Sequence, residues 1–577
     1  MRRMLTFALP PMVWLVAACS GRVDESPPVK KPTCVASCGA RTCGDDGCGG
    51  TCGACSNGVC GNAGTCEDEG EVMVPTRDGV ELSTYVMMPK KAGKFPTLLL
   101  RSPNAFQRDG TITRFRPMID QGYAFVYQSV RGTGASRGAL KPLAQEFPDG
   151  QDTVSWITQQ PWSDGKVATI GTSYEGFAAL AAAVDSPAVV GVIAEGYVTD
   201  SFQSWPLTHG GIASGDLLAW LGLVRGQSLE PERFLSISTN HRPFRDLDRA
   251  LLGKEDMTWR GLVRDPGARD PAWDASSLVG KFDRVCAPVL HVIPKGESKD
   301  DALRGFVEMD RKACSETSRG GTKFMLSDRV EGVYDLFGQS EVARLGRNFL
   351  ETYLKGRSVL AETPRVQVFV EGSNTWATGS SWPLANGNRD FFLASGSAGG
   401  ALSTTASAIP DAATYTFDPD RDDACQNKME GAAFLTTPLE ESIRIVGAPT
   451  ADLSVSVDTP DADLVAYLYE ILSDGSMRPF TSTRLRLRFR DSFADPKPMV
   501  KDTPTRVHLE FNTVGYELPL GARLMLYVVS SECGGSENSN TGGSIGDTTG
   551  TRKVTVRLHE GGDGASRISL PTFAPEK

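Results

Sequence analysis

A turn that could carry a nucleophilic serine lies at residues 171–176, where the sequence reads GTSYEG. It follows the apolar run 167–170 and precedes a helical pattern at 177–184. A sharp strand-to-helix turn exposes the serine hydroxyl, here Ser173, and directs the N–H of the next residue, Tyr174, toward a developing oxyanion. Glu175 stands where the common G-x-S-x-G pattern has its second glycine. An ordinary glycine-rich turn therefore remains an alternative interpretation.

The elements around this turn alternate between strands and helices. Apolar runs at 95–100, 124–127, 167–170 and 189–193 are typical of strands buried on both faces. Helical spacing covers 149–159, and a hairpin is indicated on either side of the turn at 77–79. The strand pattern resumes at 288–293 and 323–326, and a helix is predicted at about 339–354. Together these predict a parallel α/β sheet.

Two stretches depart from this alternation. Residues 199–282 are rich in Leu, Trp and Arg, and they predict a helical cap inserted over the sheet. Short strands separated by Gly, Asp and Pro predict an all-β jelly roll over 359–577, in which the alternating run Val366–Val370 is included. The α/β domain is then expected in two parts, 71–198 and 283–358.

Five short motifs follow one another in a distinctive order along the chain. They read RDGV at 77–80, RGTGAS at 131–136, WSDGKV at 162–167, GTSYEG at 171–176 and WPL at 382–384. In this order they resemble the family of cocaine esterase, α-amino acid ester hydrolase and X-Pro dipeptidyl-peptidase, over about residues 71–575. The resemblance implies an α/β-hydrolase domain with a helical cap and a C-terminal jelly roll. It also implies Ser173 as nucleophile and the Tyr174 N–H as an oxyanion donor.

The acid and base of the serine hydrolase triad are less evident. The resemblance implies an aspartate after the strand 288–293, and the nearest acid to that place is Glu297. It implies a histidine after the strand 323–326, but residues 327–334 read SDRVEGVY. Asp328, Glu331 and the distant His209 are therefore alternative bases, whereas His291 lies inside an apolar strand and is expected to pack in the core.

The oxyanion site also differs from the family pattern. An Arg-x-Pro-Tyr segment in the family supplies a tyrosine hydroxyl, and this chain reads Arg-Ser-Pro-Asn at 101–104. The side-chain amide of Asn104 is a hydrogen-bond donor that could serve instead.

Two functions follow from these residues. The first is hydrolysis of ester or amide bonds in small acylated or peptide-like substrates through an acyl-enzyme on Ser173. The second is a catalytically impaired member that acts as a lipid-anchored binding or structural protein, because a serine hydroxyl without a base is a weak nucleophile. Neither requires a metal or an organic cofactor, and no phosphate-binding loop is present in the sequence.

The N-terminus predicts export. Two arginines precede an apolar segment at 5–15, and residues 16–19 read VAAC, which resembles a bacterial lipobox. Residues 1–18 would then be removed, and lipidated Cys19 would tether the protein to the cell envelope, at the outer membrane or cell surface. An ordinary secretory peptide cleaved near Ala18 is the alternative.

Eight cysteines fall between residues 34 and 66, within a Cys-rich segment at 19–70. Their even number and the export signal favour a disulfide-stapled module, although the pair Cys52 and Cys55 could also be interpreted as zinc ligands. We also predict the disulfides Cys286–Cys314 and Cys425–Cys533.

Composition excludes several protein classes. Of the 577 residues 40% are hydrophobic, which argues against wholesale disorder. The net charge of −10 gives no general reason to bind nucleic acid. Apolar segments long enough for several membrane spans are absent from the sequence, and the membrane is expected to be reached only through the lipid.

The lipobox predicts that Cys19→Ala abolishes membrane attachment, because the lipidated thiol is lost. Fractionation of bacteria expressing the full chain should move the protein from the membrane pellet to the soluble fraction. A lipoprotein signal peptidase inhibitor should cause the uncleaved precursor to accumulate, and Ser20→Ala is the matched control. An unchanged membrane fraction in Cys19→Ala would contradict lipid anchoring.

Overall fold

The computed structural model describes residues 36–574 with gaps. The residues outside this description are 45, 47, 49–50, 54, 56–57, 62, 201–203, 205–206, 209–210, 213–215, 227–240, 264–270, 295–299, 329–331, 397–398, 421–429, 532–537, 545 and 563–564. Within the described part, no helix has the length and apolar character needed to cross a bilayer.

Disulfides hold the Cys-rich segment together. They join Cys38 to Cys52, Cys43 to Cys60 and Cys55 to Cys66. Within this segment, the short strands β1 (Val59–Cys60) and β2 (Cys66–Glu67) form an antiparallel pair. The prediction of a disulfide-stapled module is therefore confirmed. The Cys286–Cys314 bridge is also confirmed, whereas Cys425 and Cys533 lie outside the described residues.

Strands and helices alternate from residue 69 to residue 195, as the sequence predicts. The elements are β3 (Glu69–Pro75), β4 (Glu81–Met87), β5 (Phe95–Ser102), α1 (Arg108–Phe115), α2 (Pro117–Asp120), β6 (Ala124–Ser129), α3 (Glu146–Gln159), β7 (Ser163–Thr172), α4 (Tyr174–Ala183) and β8 (Val189–Glu195). β3 and β4 form the expected hairpin around the turn at 77–79.

The cap insertion follows β8. Its described elements are the antiparallel pair β9 (Leu207–Thr208) and β10 (Gly211–Ile212), then α5 (Asp216–Val224), α6 (Leu247–Leu252) and α7 (Met257–Val263). Trp259 is completely buried in it, and its indole N–H donates to the Arg245 carbonyl at 2.9 Å. The buried apolar side chains of the cap are continuous with the core of the α/β domain.

The α/β sheet resumes after the cap. Its remaining elements are β11 (Val289–Ile293), α8 (Asp301–Lys312), α9 (Glu316–Gly321), β12 (Lys323–Leu326), α10 (Glu341–Lys355), β13 (Val366–Val370) and β14 (Thr375–Gly379). The strand order is β14-β13-β12-β11-β8-β7-β5-β6-β4-β3. In this order, every pair of adjacent strands between β13 and β6 is parallel. Consequently, the carboxyl ends of β7, β8, β11 and β12 meet at one edge of the sheet.

Helices cover both faces of this sheet. Apolar residues of α1, α2 and α10 pack on one face, and those of α3, α4 and α8 pack on the other. Coverage on both sides explains why the central strands are continuous apolar runs in the sequence. The whole of β6, for example, is buried.

The predicted inclusion of Val366–Val370 in the jelly roll is wrong. This segment is β13, which pairs in parallel with β12 in the α/β sheet. Period-two alternation led to the wrong domain because it describes a strand without showing which sheet the strand joins. β14 then turns back antiparallel to β13 and ends the sheet.

The C-terminal domain is all-β, as predicted, and its helical content in the described residues is one short 3₁₀ turn at Leu487–Phe489. Its strands are β15 (Gly387–Gly396), β16 (Gly399–Ser403), β17 (Asp411–Phe417), β18 (Gly431–Leu435), β19 (Ile443–Gly447), β20 (Thr450–Val457), β21 (Asp463–Ile471), β22 (Met477–Arg486), β23 (Thr505–Glu510), β24 (Val514–Leu518), β25 (Arg523–Val529), β26 (Val554–Glu560) and β27 (Arg567–Thr572). An α/β-hydrolase domain with cap and β domain is thus the fold of this chain.

The two large domains are joined by polar contacts at the start of α8. The side chain of Asp300 accepts hydrogen bonds from the Thr513 backbone N–H at 2.8 Å and from its hydroxyl at 2.8 Å. Burial raises the pKa of Asp300 to about 6. This contact places the β domain beside the carboxyl edge of the α/β sheet.

His291 packs in the core, as expected from its place in an apolar strand. It is completely buried, and its Nδ1 is 2.8 Å from the Tyr197 hydroxyl. The ring also meets Phe306 edge to face. Burial lowers the pKa of His291 to about 3, so the imidazole stays neutral in the folded protein.

Acid should therefore weaken the fold through His291. Below pH 6.5 the unfolded chain binds a proton that the native imidazole does not, so the free energy of unfolding falls as the pH falls. At pH 5 the loss is about 2 kcal/mol. Urea unfolding at pH 7 and pH 5 should show a smaller difference for His291→Gln than for wild type. The control Phe306→Leu removes a ring that packs on His291 but leaves the imidazole in place, so it should retain the wild-type difference. An equal difference in all three proteins would contradict this role of His291.

Candidate active site

The turn between β7 and α4 holds Ser173 in an unusual backbone conformation. Its φ is +55° and its ψ is −121°, a region that residues with a Cβ rarely adopt. Such a conformation costs about 1–3 kcal/mol and persists only where its surroundings enforce it. The Ser173 side chain is exposed at the carboxyl edge of the sheet. The sequence-predicted nucleophile thus has the backbone of a strand-to-helix elbow.

Two glycines make room for this turn. A Cβ on Gly171 would lie 2.1 Å from the Glu175 carbonyl oxygen, and a Cβ on Gly176 would lie 2.8 Å from the Cβ of Tyr197. Glycine is therefore needed at 171 and at 176. The Glu175 side chain extends toward the hydroxyls of Ser102 and Tyr334, so the turn accommodates it where the usual pattern has a second glycine.

Glu195, the last residue of β8, fixes the turn from the neighbouring strand. Its carbonyl accepts from the Ser173 N–H at 2.9 Å, and its carboxylate accepts from the Thr172 hydroxyl at 2.9 Å. The carboxylate is completely buried and also accepts from the Gly332 N–H at 3.0 Å. One residue therefore holds both the elbow and the segment that follows β12, where the family base would lie.

Tyr334 adds a second link between these segments. Its hydroxyl accepts from the Thr172 N–H at 3.1 Å and donates to the Glu175 carboxylate. Burial and the nearby Glu175 raise the pKa of Tyr334 well above its ordinary value. The phenol therefore remains protonated at neutral pH and acts as a donor rather than a base.

Glu175 and Asn104 lie together beside the elbow. The buried Glu175 carboxylate accepts from the Ser102 hydroxyl and, at 3.4 Å, from the Asn104 side-chain amide. The Asn104 amide oxygen accepts from the Trp220 indole N–H at 3.2 Å. The structure thus brings Asn104 to the site, with its amide engaged by Glu175 and by the cap.

Tyr174 is the first residue of α4. Its backbone N–H is therefore one of the N-terminal donors that have no acceptor within the helix. Its hydroxyl donates to Glu146 at 2.8 Å and accepts from the Leu143 N–H at 3.0 Å. Glu146 in turn pairs with buried Arg101 at 2.6 Å, and its burial raises its pKa. The Trp220 ring lies 5.8 Å from the Tyr174 ring. The first residue of the helix is therefore held by the sheet, by the loop before α3 and by the cap.

The predicted acid and two of the alternative bases lie outside the described residues: Glu297, Glu331 and His209. Asp328 is described and half-buried in the loop after β12. Within the described part of the chain, the Ser173 hydroxyl makes no hydrogen bond. The hydrogen-bonded histidines there have other partners: Tyr197 for His291, Asp452 for His508 and Ser456 for His559.

Sequence reasoning missed Glu195 and Tyr334. A usable signal existed for Glu195, because a carboxylate ends an otherwise apolar strand at the same sheet edge as the elbow. Tyr334 lies in the segment after β12, where the resemblance implies a histidine, but its contacts with Thr172 and Glu175 depend on how that segment folds. Its role therefore could not be deduced from the chain alone.

Family models match two parts of the chain. The X-Pro dipeptidyl-peptidase (S15 family) model matches residues 78–300, and the X-Pro dipeptidyl-peptidase C-terminal non-catalytic domain matches residues 358–569. Together they span about three quarters of the chain.

Similar proteins extend over nearly the whole molecule. The cocaine esterase of Rhodococcus sp. is 27% identical over 560 residues, which cover 87% of this chain and 97% of that protein. An α-amino acid ester hydrolase has a solved structure with a TM-score of 0.74, 22% identity, and coverage of 96% of this chain and 100% of that one. The solved structure of an aminopeptidase from a marine-sediment Thaumarchaeota archaeon has a TM-score of 0.73 and 21% identity. That match covers 88% of this chain and 97% of that one. The chain belongs to the cocaine esterase and X-Pro dipeptidyl-peptidase family of serine hydrolases.

Proposed function

We propose that this protein is an exported, lipid-anchored serine hydrolase that cleaves ester or amide bonds in small acylated or peptide-like substrates. The observation that carries the proposal is the left-handed backbone of Ser173 at an exposed strand-to-helix turn. Strain of this kind persists when several contacts enforce it, and it presents the hydroxyl where a substrate can reach it. Similarity to cocaine esterase and to the X-Pro dipeptidyl-peptidase family supports an ester or amide as the bond that is cleaved.

In the proposed reaction, the Ser173 Oγ attacks the substrate carbonyl carbon and its proton passes to a base. The carbonyl becomes an oxyanion that the Tyr174 N–H and the partial positive charge at the start of α4 stabilise. Collapse of this intermediate expels the alcohol or amine, which takes up the proton and leaves the acyl group on Ser173. Water then attacks the acyl-enzyme and releases the acid. Asn104 is proposed as the second oxyanion donor, because it lies beside the elbow.

The base is the unconventional part of the proposal. A serine hydroxyl needs an adjacent base at neutral pH, and the sequence after β12 contains no histidine. Asp328 and Glu331 are the carboxylates of that segment, and His209 belongs to the cap. A carboxylate would need a pKa raised toward neutrality by burial to perform this step well. Glu297 remains the proposed acid of the site.

A second function is supported by a specific observation. Within the described residues, the Ser173 hydroxyl makes no hydrogen bond, either to a histidine or to another group. A chain that retained the pocket but lost the base would bind acylated or peptide-like molecules at the cell envelope without turning them over. Cys19 would anchor either form to the membrane through lipid.

Covalent labelling separates the two functions. Protein beginning at Ser20 should react with a fluorophosphonate probe and hydrolyse a p-nitrophenyl ester, because both reactions require an activated serine. Ser173→Ala should abolish labelling and lower turnover by about 10³-fold or more. Ser155→Ala, on the exposed side of α3, is the matched control and should retain both. Absence of labelling, with equal turnover in wild type and Ser173→Ala, would establish the binding protein instead.

The strain at Ser173 gives a prediction that does not depend on catalysis. Glycine adopts φ of +55° without steric cost, so Ser173→Gly should be more stable than Ser173→Ala by about 1 kcal/mol in urea unfolding. At Ser155, in the middle of a helix, the order should be reversed by a similar amount. A Ser173→Gly protein no more stable than Ser173→Ala would show that the elbow is not strained.

A further inference from the structure

A cavity of about 440 Å³ lies between the α/β sheet and the β domain. We call it the interdomain cavity. On the sheet side it is lined by Pro294, which follows β11, and by Ser327, which follows β12. Glu371, which follows β13, completes the sheet side, and strands β21, β22 and β24 of the β domain line the other side. Its volume is that of pockets that bind small organic molecules.

Aromatic rings form much of the β-domain wall. Phe480 and Tyr516 are stacked with ring centroids 4.5 Å apart, and Tyr467 also faces the cavity. All three rings belong to strands of one sheet, so their positions are fixed by backbone pairing. Aromatic faces carry negative electrostatic potential and attract cations.

The charged groups at the cavity also favour a cation. Among the described residues that line the cavity, Glu371 is the only one with a charged side chain. Behind the rings, the buried carboxylate of Glu470 accepts from the Tyr516 hydroxyl at 2.7 Å. The remaining polar residues of the lining are uncharged: Ser327, Thr481, Ser482, Asn512 and Thr513. The carboxylates would repel an anion, whereas a cation would be attracted by both the carboxylates and the aromatic rings.

We propose that the interdomain cavity binds a small organic ammonium ion, with the charged nitrogen near Glu371 and its alkyl groups against the aromatic rings. β11, β12 and β13 lie two, three and four strands from β7, which carries the elbow, so the cavity extends from about 10 to about 19 Å along the sheet from Ser173. This site is separate from the elbow and goes beyond the proposed hydrolysis. Binding there does not require Ser173 to react.

Choline and its uncharged isostere 3,3-dimethylbutan-1-ol test the proposal, because they share shape and differ in charge. Calorimetric titration of the Ser173→Ala protein, beginning at Ser20, keeps the result independent of catalysis. Choline should bind at least tenfold more tightly than the alcohol. Glu371→Gln should lower the choline affinity about tenfold and leave the affinity for the alcohol unchanged.

The variants are chosen to preserve the fold. Glu371 is paired through its backbone, donating to the Gly515 carbonyl at 2.9 Å and accepting from the Glu517 N–H at 2.8 Å, so Gln keeps these bonds. The exposed Glu362→Gln is the matched control and should bind choline as tightly as its parent. Equal affinities for choline and the alcohol, absence of choline binding, or unchanged choline affinity in Glu371→Gln would each overturn the proposal.

Discussion

The left-handed backbone at Ser173 is the constraint on which the rest of the site depends. A residue with a Cβ resists this conformation, so neighbouring elements must enforce it. β8 does so through the Glu195 carbonyl and carboxylate, and the glycines at 171 and 176 remove the atoms that would obstruct it. The parallel order of β5, β7 and β8 brings these groups to one edge of the sheet. Contacts with neighbouring elements therefore stabilise the strained backbone that exposes the Ser173 hydroxyl.

Buried carboxylates organise the surroundings of that hydroxyl. Glu195 joins the elbow to the segment after β12, and Glu175 joins the end of β5 to the same segment through Tyr334. Each is satisfied by several donors, which a carboxylate removed from water requires. Glu146 and Arg101 form a comparable buried pair that holds the Tyr174 side chain. After β12, where the resemblance implies a histidine, residues 332–334 of this chain are hydrogen-bonded to Thr172, Glu175 and Glu195.

Much of this architecture is predictable from sequence, because strands covered on both faces are continuous apolar runs. The positions of β5 to β8, of α10 and of the elbow follow from that pattern and from the turn residues. The assignment of Val366–Val370 to the jelly roll failed because alternation does not specify which sheet a strand joins. The contact of Glu195 with the elbow could have been predicted from its place at the end of β8, but its contact with Gly332 joins segments 137 residues apart. The contact of Tyr334 with Glu175 joins segments 159 residues apart. Local pattern carries no information about such distant pairs.

The central claim is that Ser173 is a reactive nucleophile at this turn. The most direct measurement is to mix the wild-type protein with p-nitrophenyl acetate, quench in acid within the first turnover, and map acetylated peptides by mass spectrometry. An acetyl group on the Ser173 hydroxyl, lost when the mixture stands before quenching, is the predicted result. A protein that releases p-nitrophenol without acetylated Ser173, or that carries acetyl groups only on surface lysines, would contradict it.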